Sequence, residues 1–207
     1  MTSPASLTNR RGDLAAVIVG GGGTTRTSIY TLRFRLHVSR IYIINRLDSE
    51  VEAIVADFKS KGVEGIEQLK TPQDVQRLMK GSPPDFIINA IPSYAPQSDG
   101  ERVARATLEA VLSLASVPAS KSTQQQPLFL EMCYHSHPWT IISTYAQSKG
   151  WKIIQGMEAM IHQAIAQQVL WLPPCDKEQM DALHTAGRKA VFDALRARGA
   201  FDTPAEH

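Results

Sequence analysis

The stretch Val17-Ile18-Val19-Gly20-Gly21-Gly22-Gly23-Thr24-Thr25-Arg26 decides the fold. An apolar run over 14–19 leads into four glycines, and residues 24–36 then show the apolar spacing of a helix. A glycine-rich turn between a buried strand and a helix predicts a phosphate site. Gly20 permits the tight turn, and Gly22 lets the backbone approach a pyrophosphate. The alternative is a glycine-rich turn that binds no ligand.

The third glycine of the pattern G-x-G-x-x-G is replaced by Thr25. That position packs the helix against the strand, so a small residue is expected to serve there. The end of the second predicted strand, 41–44, bears on the cofactor, because Asp or Glu there would hold the ribose hydroxyls of NAD. Asn45 and Arg46 follow that strand instead. Arginine pairs with a 2′-phosphate, so the sequence favours NADP, with a solvated loop arginine as the alternative.

Apolar runs alternate with segments of helical spacing along the rest of the chain. The predicted strands are 14–19, 41–44, 65–69, 85–89, 128–132 and 151–154. This alternation predicts an α/β, Rossmann-like, doubly wound parallel sheet of about six strands, with an added C-terminal helix. We expect three parts: a disordered or tag-like N-terminus at 1–13, a Rossmann-like dinucleotide-binding domain at 14–172, and a C-terminal helical extension at 173–207.

Composition excludes several classes of protein. The 207 residues are 43% hydrophobic and carry a net charge of +2, so we expect no direct contact with nucleic acid. No apolar stretch reaches the roughly 18 residues of a membrane span, which indicates a cytoplasmic protein. Cys133 and Cys175 follow no metal or redox spacing. Cys133 with His135 and His137 lacks a fourth ligand, so no metal site is predicted.

Five local motifs occur in the order typical of one enzyme family. The family patterns G-A-G-G-x-x-R, N-R-T, I-N-x-x-P, D-x-x-Y and G-x-x-M-L-x-x-Q-A resemble residues 20–26, 45–47, 88–92, 131–134 and 156–164. The sequence therefore resembles the cofactor-binding domain of the shikimate and quinate dehydrogenases over about residues 14–172. The resemblance extends to the dehydrogenase-like portion of fungal pentafunctional shikimate-pathway proteins and to the related quinate repressor.

The resemblance implies residues that hold NADP and residues that face a shikimate-like polyol. The implied cofactor-binding residues are Gly20, Gly22, Gly23, Thr24, Thr25, Arg26, Asn45, Arg46, Ala90, Ile91, Pro92, Gly156 and Met160. The implied substrate-binding residues are Tyr134 and Gln163. The implied family activity is that of an NADP-dependent shikimate dehydrogenase, an enzyme of aromatic amino acid biosynthesis and quinate metabolism.

The sequence also departs from the family. Leu47 replaces the threonine of the N-R-T motif, and His135-Ser136-His137 replaces the K-P-R stretch after the family tyrosine. The family motifs with the catalytic lysine and its partner aspartate, N-V-T-x-P-x-K and N-T-D, do not occur in this sequence. Hydride transfer needs a group that handles the proton, so we assign no catalytic residue and expect no turnover by this chain alone.

Three functions stay open at this point. The first is a non-catalytic, repressor-type regulator of the quinate or shikimate pathway, which senses a nucleotide or a pathway metabolite and acts in transcription regulation in the nucleus. The second is the NADP-binding half of a shikimate or quinate dehydrogenase. The third is an inert interaction domain that has lost cofactor binding. The last predicted helix carries an apolar stripe that predicts self-association or contact with other domains of a longer parent protein: Met180, Leu183, Val191, Phe192 and Leu195.

Overall fold

The computed structural model describes residues 14–80, 83–114, 126–134, 139–171 and 176–199. Strands and helices alternate from the start, as predicted, and two helices end the described chain. The elements are β1 (Ala15–Val19), α1 (Gly23–Phe34), β2 (Arg40–Ile44), α2 (Asp48–Ser60), β3 (Ile66–Gln68), α3 (Pro72–Met79), β4 (Phe86–Asn89), α4 (Asp99–Ser113), β5 (Leu128–Glu131), α5 (Ile141–Ser148), β6 (Lys152–Gln155), α6 (Gly156–Trp171) and α7 (Lys177–Ala197).

The six strands form one sheet in the order β3-β2-β1-β4-β5-β6, and every neighbouring pair is parallel. The chain runs outward from β1 to β3, then returns to the other side of β1 with β4. The strand order therefore reverses between β1 and β4. The predicted doubly wound Rossmann-like sheet is confirmed. In sheets of this kind, a crevice opens where the order reverses, at the carboxyl ends of the strands.

Two apolar layers cover the two faces of the sheet. All five residues of β1 are buried, and alternate residues of a strand point to opposite faces. Ile18 packs with apolar residues of α1 and α2, including Ile29 and Ile54. Val17 packs in the other layer, which contains Leu108 of α4 together with residues of α3 and α5. Burial on both faces explains why β1 is a continuous apolar run in the sequence.

Side-chain caps fix where several helices begin. Thr71 and Asp74 form a reciprocal capping box that fixes the N-terminus of α3. Ser98 and Glu101 form the same arrangement at α4. Since α4 follows β4, this box fixes a helix beside the crevice.

The last two helices pack on each other, beyond the sheet. The ring centroids of His162 on α6 and His184 on α7 lie 4.6 Å apart, and Arg188 forms an ion pair with Glu158 at 2.7 Å. None of the described residues of α7 is buried. Within the part of the chain that the structure describes, no helix is long and apolar enough to cross a membrane.

Candidate nucleotide-binding cleft

The turn between β1 and α1 needs a glycine at its first position. Gly20 has φ +124°, a backbone conformation that residues other than glycine rarely adopt. A Cβ there would also lie 3.2 Å from the carbonyl oxygen of Ala90, in the loop after β4. Thr25 is fully buried, and its hydroxyl donates to the carbonyl oxygen of Gly20 at 2.8 Å. Thr25 therefore holds the helix against the turn, as its sequence position predicts.

The next glycines leave space that the protein itself does not fill. A Cβ on Gly22 or Gly23 would meet nothing within 4 Å. Gly22 is the N-cap of α1 and makes no side-chain capping bond, and the first turn of α1 contains no acidic residue. The first N–H groups of α1 therefore have no side-chain acceptor from the cap. An open helix N-terminus of this kind suits a phosphate group.

A cleft of about 350 Å³ opens beside this turn, between the carboxyl ends of β1, β2 and β4. Its position is the point where the strand order reverses, which is where open α/β sheets bind ligands. Its lining residues are Val19, Gly20, Gly21, Ile44, Asn45, Arg46, Glu50, Ala90, Ile91, Pro92, Tyr94, Ala95, Pro96, Gln97, Glu101, Ala104 and Arg105. The cleft thus combines an apolar floor with four charged side chains.

The carboxylate of Glu50 closes one side of the turn. Its Oε2 accepts a hydrogen bond from Asn45 Nδ2 at 2.7 Å, and the same nitrogen donates to the carbonyl oxygen of Leu47 at 3.0 Å. A Cβ on Gly21 would collide with this carboxylate and would lie 2.8 Å from Asn45 Nδ2. Gly21 therefore lets the α2 side chain reach the glycine turn. Sequence spacing alone did not point to Glu50.

The arginine at the end of β2 is already paired. Arg46 Nη1 donates to Glu101 Oε1 at 2.6 Å. The other carboxylate oxygen of Glu101 accepts the backbone N–H groups of Gln97 at 2.8 Å and Ser98 at 3.1 Å. These backbone donors, followed by Arg46, lower the pKa of Glu101 to about 2. Glu101 is therefore ionised at neutral pH and is held at the rim of the cleft.

A second arginine lines the cleft and was missed from the sequence. Arg105 lies one helical turn after Glu101 on α4, and its buried Nε has no hydrogen-bond partner among the described residues. The signal that could have found Arg105 is its i+4 spacing from Glu101, because residues at that spacing share one face of a helix.

A buried polar cluster lies at the ends of the neighbouring strands. Glu131 ends β5, is 0% exposed, and accepts hydrogen bonds from Asn89 Nδ2 at 2.9 and 3.0 Å, from Thr140 Oγ1 at 2.7 Å and from the backbone N–H of Cys133 at 3.1 Å. Burial raises the pKa of Glu131, while these donors oppose the shift. The cluster ties the ends of β4 and β5 to the start of α5.

Comparison with known proteins gives the same family as the motifs. The chain is 43% identical over 156 residues to a quinate dehydrogenase of Emericella nidulans, covering 75% of this chain and 46% of that protein. It is 27% identical over 157 residues to a pentafunctional AROM polypeptide of Eremothecium gossypii, covering 76% of this chain and 9% of that one. No protein-family model matches the chain.

Solved structures share the fold of this chain. The dehydroquinate dehydratase and shikimate dehydrogenase from S. pombe AroM superposes with a TM-score of 0.63 at 23% identity, over 84% of this chain and 30% of that one. A quinate dehydrogenase from Corynebacterium glutamicum in complex with NAD gives a TM-score of 0.55 at 17% identity, over 87% and 58%. The chain is a relative of the quinate and shikimate dehydrogenases. It spans about half the length of the quinate dehydrogenase that it matches.

The structure brings one group of the residues implied by the family motifs together. Gly20, Asn45, Arg46 and 90–92 line the cleft. Gly22, Gly23 and Thr24 form the open start of the neighbouring helix α1. These positions are compatible with cofactor contact, which stays a prediction for each of them.

Two residues implied to contact the cofactor, Thr25 and Arg26, bond to other parts of the protein. Thr25 is buried behind the turn, and Arg26 forms an ion pair with Asp57 of α2 at 2.8 Å. The packing role of Thr25 agrees with its position in the glycine pattern, whereas the pairing of Arg26 with α2 was not indicated by the sequence.

Four other residues implied by the family motifs are not among the cleft-lining residues: Tyr134, Gly156, Met160 and Gln163. Tyr134 follows β5 and is 40% exposed, while Met160 and Gln163 lie on α6. Gly156 begins α6, and a Cβ there would lie 2.6 Å from the carbonyl oxygen of Glu131, so helix packing alone requires glycine. His135 and His137 lie outside the described residues, and so does Cys175.

Proposed function

We propose that this chain is the nucleotide-binding half of a quinate or shikimate dehydrogenase, and that it binds a nicotinamide dinucleotide in the cleft. The observation that carries the proposal is the open start of α1 beside the cleft, at the reversal point of the sheet. A Cβ on Gly22 or Gly23 would meet no protein atom within 4 Å, so the space beside the turn is open. A pyrophosphate is the group that such a space accommodates.

The rest of the cleft fits the other parts of a dinucleotide. The end of β2, with Asn45 and Arg46, is the position at which this fold holds an adenosine ribose. The opposite end, over Ala90 to Pro92, is apolar and would receive the nicotinamide side. When bound, the cofactor would supply hydride chemistry, and the residues of this chain would bind and orient it.

A non-catalytic regulator is the second candidate, and one residue favours it. Leu47 is 45% exposed at the position of the family threonine, where a hydroxyl could hydrogen-bond a cofactor phosphate. Loss of that hydroxyl fits a protein that senses a ligand and transfers no hydride. Assays of a longer protein that carries this chain, with quinate or shikimate and a nicotinamide cofactor, separate the two. Turnover would exclude the regulator.

Calorimetric titration with NAD and NADP tests the proposed site, with Gly22→Ala as the perturbing variant. Gly22 has extended backbone angles and open space around it, so alanine fits the free protein. We expect the stability to change by no more than about 1 kcal/mol, because a poorer N-cap is offset by a less flexible unfolded chain. The new methyl group would stand where the pyrophosphate binds, and we expect affinity to fall about tenfold to a hundredfold.

Gly187→Ala is the matched control, because Gly187 lies on α7, where a Cβ would make only an ordinary contact with Ile165 at 3.9 Å. The control should bind like the unchanged chain. Equal binding by the Gly22→Ala variant would place the nucleotide elsewhere. Absence of binding by the unchanged chain would overturn the proposal and favour an inert interaction domain.

A further inference from the structure

The acidic group that NAD-binding sheets usually carry at the end of β2 comes from a different element in this chain. That position holds Asn45 and Arg46, neither of which is acidic. The fold brings Glu101 there from α4, with its Oε1 2.6 Å from Arg46 Nη1. A carboxylate can accept the two hydroxyl groups of an adenosine ribose, and it repels a 2′-phosphate at the same place.

Three features hold Glu101 in this position. The backbone N–H groups of Gln97 and Ser98 fix one carboxylate oxygen, and Arg46 binds the other. A Cβ on Gly100 would lie 3.0 Å from the carbonyl oxygen of Arg46, so the glycine lets α4 approach the loop after β2 closely. Because its pKa is low, the carboxylate keeps its charge throughout the physiological pH range.

The charge balance of the cleft points the same way. Its charged lining residues are two arginines, Arg46 and Arg105, and two glutamates, Glu50 and Glu101, so their formal charges cancel. A 2′-phosphate adds about two negative charges, whereas a ribose hydroxyl adds none. The arginine that would have received the phosphate is the one engaged by Glu101.

We propose that this cleft selects NAD over NADP and that Glu101 is the specificity-determining residue. The inference rests on the proposed nucleotide-binding function. It reverses the preference for NADP that Arg46 indicates when its ion pair with Glu101 is not known. Arg46 orients Glu101 in the free cleft and becomes a phosphate ligand only when the carboxylate is removed.

The test compares NAD and NADP affinities of the unchanged chain with those of the Glu101→Gln variant, by calorimetry. Glutamine keeps the N-terminal capping interaction of α4, so the helix should remain intact, and a melting curve checks this. We expect the ratio of NADP to NAD affinity to rise about tenfold, because the repulsion disappears and Arg46 is released. Adding Arg46→Ala to this variant should abolish the gain in NADP affinity.

Asp99→Asn is the matched control. Asp99 lies two residues earlier on α4, is paired with Arg102, and does not line the cleft. The control removes the same formal charge near the same helix terminus and should leave the ratio unchanged. An equal shift in both variants would overturn the inference, because the effect would then come from general charge.

The outcomes also separate this inference from the function on which it rests. NAD binding with an unchanged ratio in the Glu101→Gln variant would overturn the role of Glu101 and leave the nucleotide site in place. Preferred binding of NADP by the unchanged chain would do the same. Absence of binding of either nucleotide by every variant would overturn both proposals together.

Discussion

Two substitutions of the buried Glu131, by alanine and by glutamine, are expected to change the free energy of unfolding by different amounts. Truncation by Glu131→Ala removes the acceptor for the Asn89 amide, the Thr140 hydroxyl and the backbone N–H of Cys133. Of these groups, the Asn89 amide and the Thr140 hydroxyl belong to buried residues, and each buried donor left without a partner costs about 1–3 kcal/mol. We therefore expect the variant to lose at least about 2 kcal/mol of unfolding free energy, with a further contribution from the cavity.

Glu131→Gln should be far milder. Glutamine conserves the volume and removes a charge that is buried at 0% exposure. When the Asn89 side-chain amide rotates by half a turn, its Oδ1, which has no hydrogen-bond partner in the described structure, can accept from the new amide. We expect the free energy of unfolding at neutral pH to stay within about 1 kcal/mol of the unchanged chain.

The pH dependence gives a second signature of the same group. Because burial raises the pKa of Glu131 above its ordinary value of 4.5, the folded chain binds this proton more tightly than the unfolded chain. The contribution of Glu131 to stability is therefore complete below pH 4.5 and is lost as the pH rises through the folded-state pKa. The glutamine variant lacks this loss, so its stability relative to the unchanged chain should increase as the pH rises from about 4.5 to the folded-state pKa of Glu131, and should stay constant above that pKa.

Urea denaturation across this pH range measures both effects, with the slope of free energy against urea checked for each variant. Two results would refute the reasoning. The alanine variant could prove as stable as the glutamine variant, or the difference between glutamine and glutamate could stay constant with pH.

Two further predictions concern α6. Gly156→Ala should destabilise the chain strongly in thermal melts, because its Cβ would lie 2.6 Å and 2.8 Å from the backbone oxygens of Glu131 and Met132, which cannot move aside as a side chain can; an unchanged melting temperature would contradict this packing. Leu170 and Trp171 are 82% and 71% exposed at the end of α6, so serine at both positions should reduce self-association in light scattering at high concentration. A monomeric mass for the unchanged chain would contradict the predicted self-association.

The fold could be predicted because its signals are local. The apolar run of β1, the glycines after it and the Thr71 capping box each lie within a few neighbouring residues. Both faces of the sheet are covered, so the central strands are continuously apolar and easy to recognise. The same local reasoning placed Gly20, Asn45 and Arg46 at one edge of the sheet.

The charge arrangement of the cleft could not be predicted in this way. Arg46 and Glu101 are 55 positions apart, and Asn89 and Glu131 are 42 apart. A single sequence shows the residue types at both ends of such a contact but not their juxtaposition, which depends on how α4 packs beside the loop after β2. The sequence therefore indicated a free arginine and NADP, whereas the structure shows a paired arginine.

The most direct test of the nucleotide-binding claim is an amide chemical-shift map of the isotope-labelled chain titrated with NAD. We predict that the largest changes fall on residues 20–24 at the start of α1, on Asn45 and Arg46, and on Ala90 and Ile91, with α7 unaffected. Changes confined to α6 and α7, or no change at saturating NAD, would contradict the assignment of the cleft as a dinucleotide site.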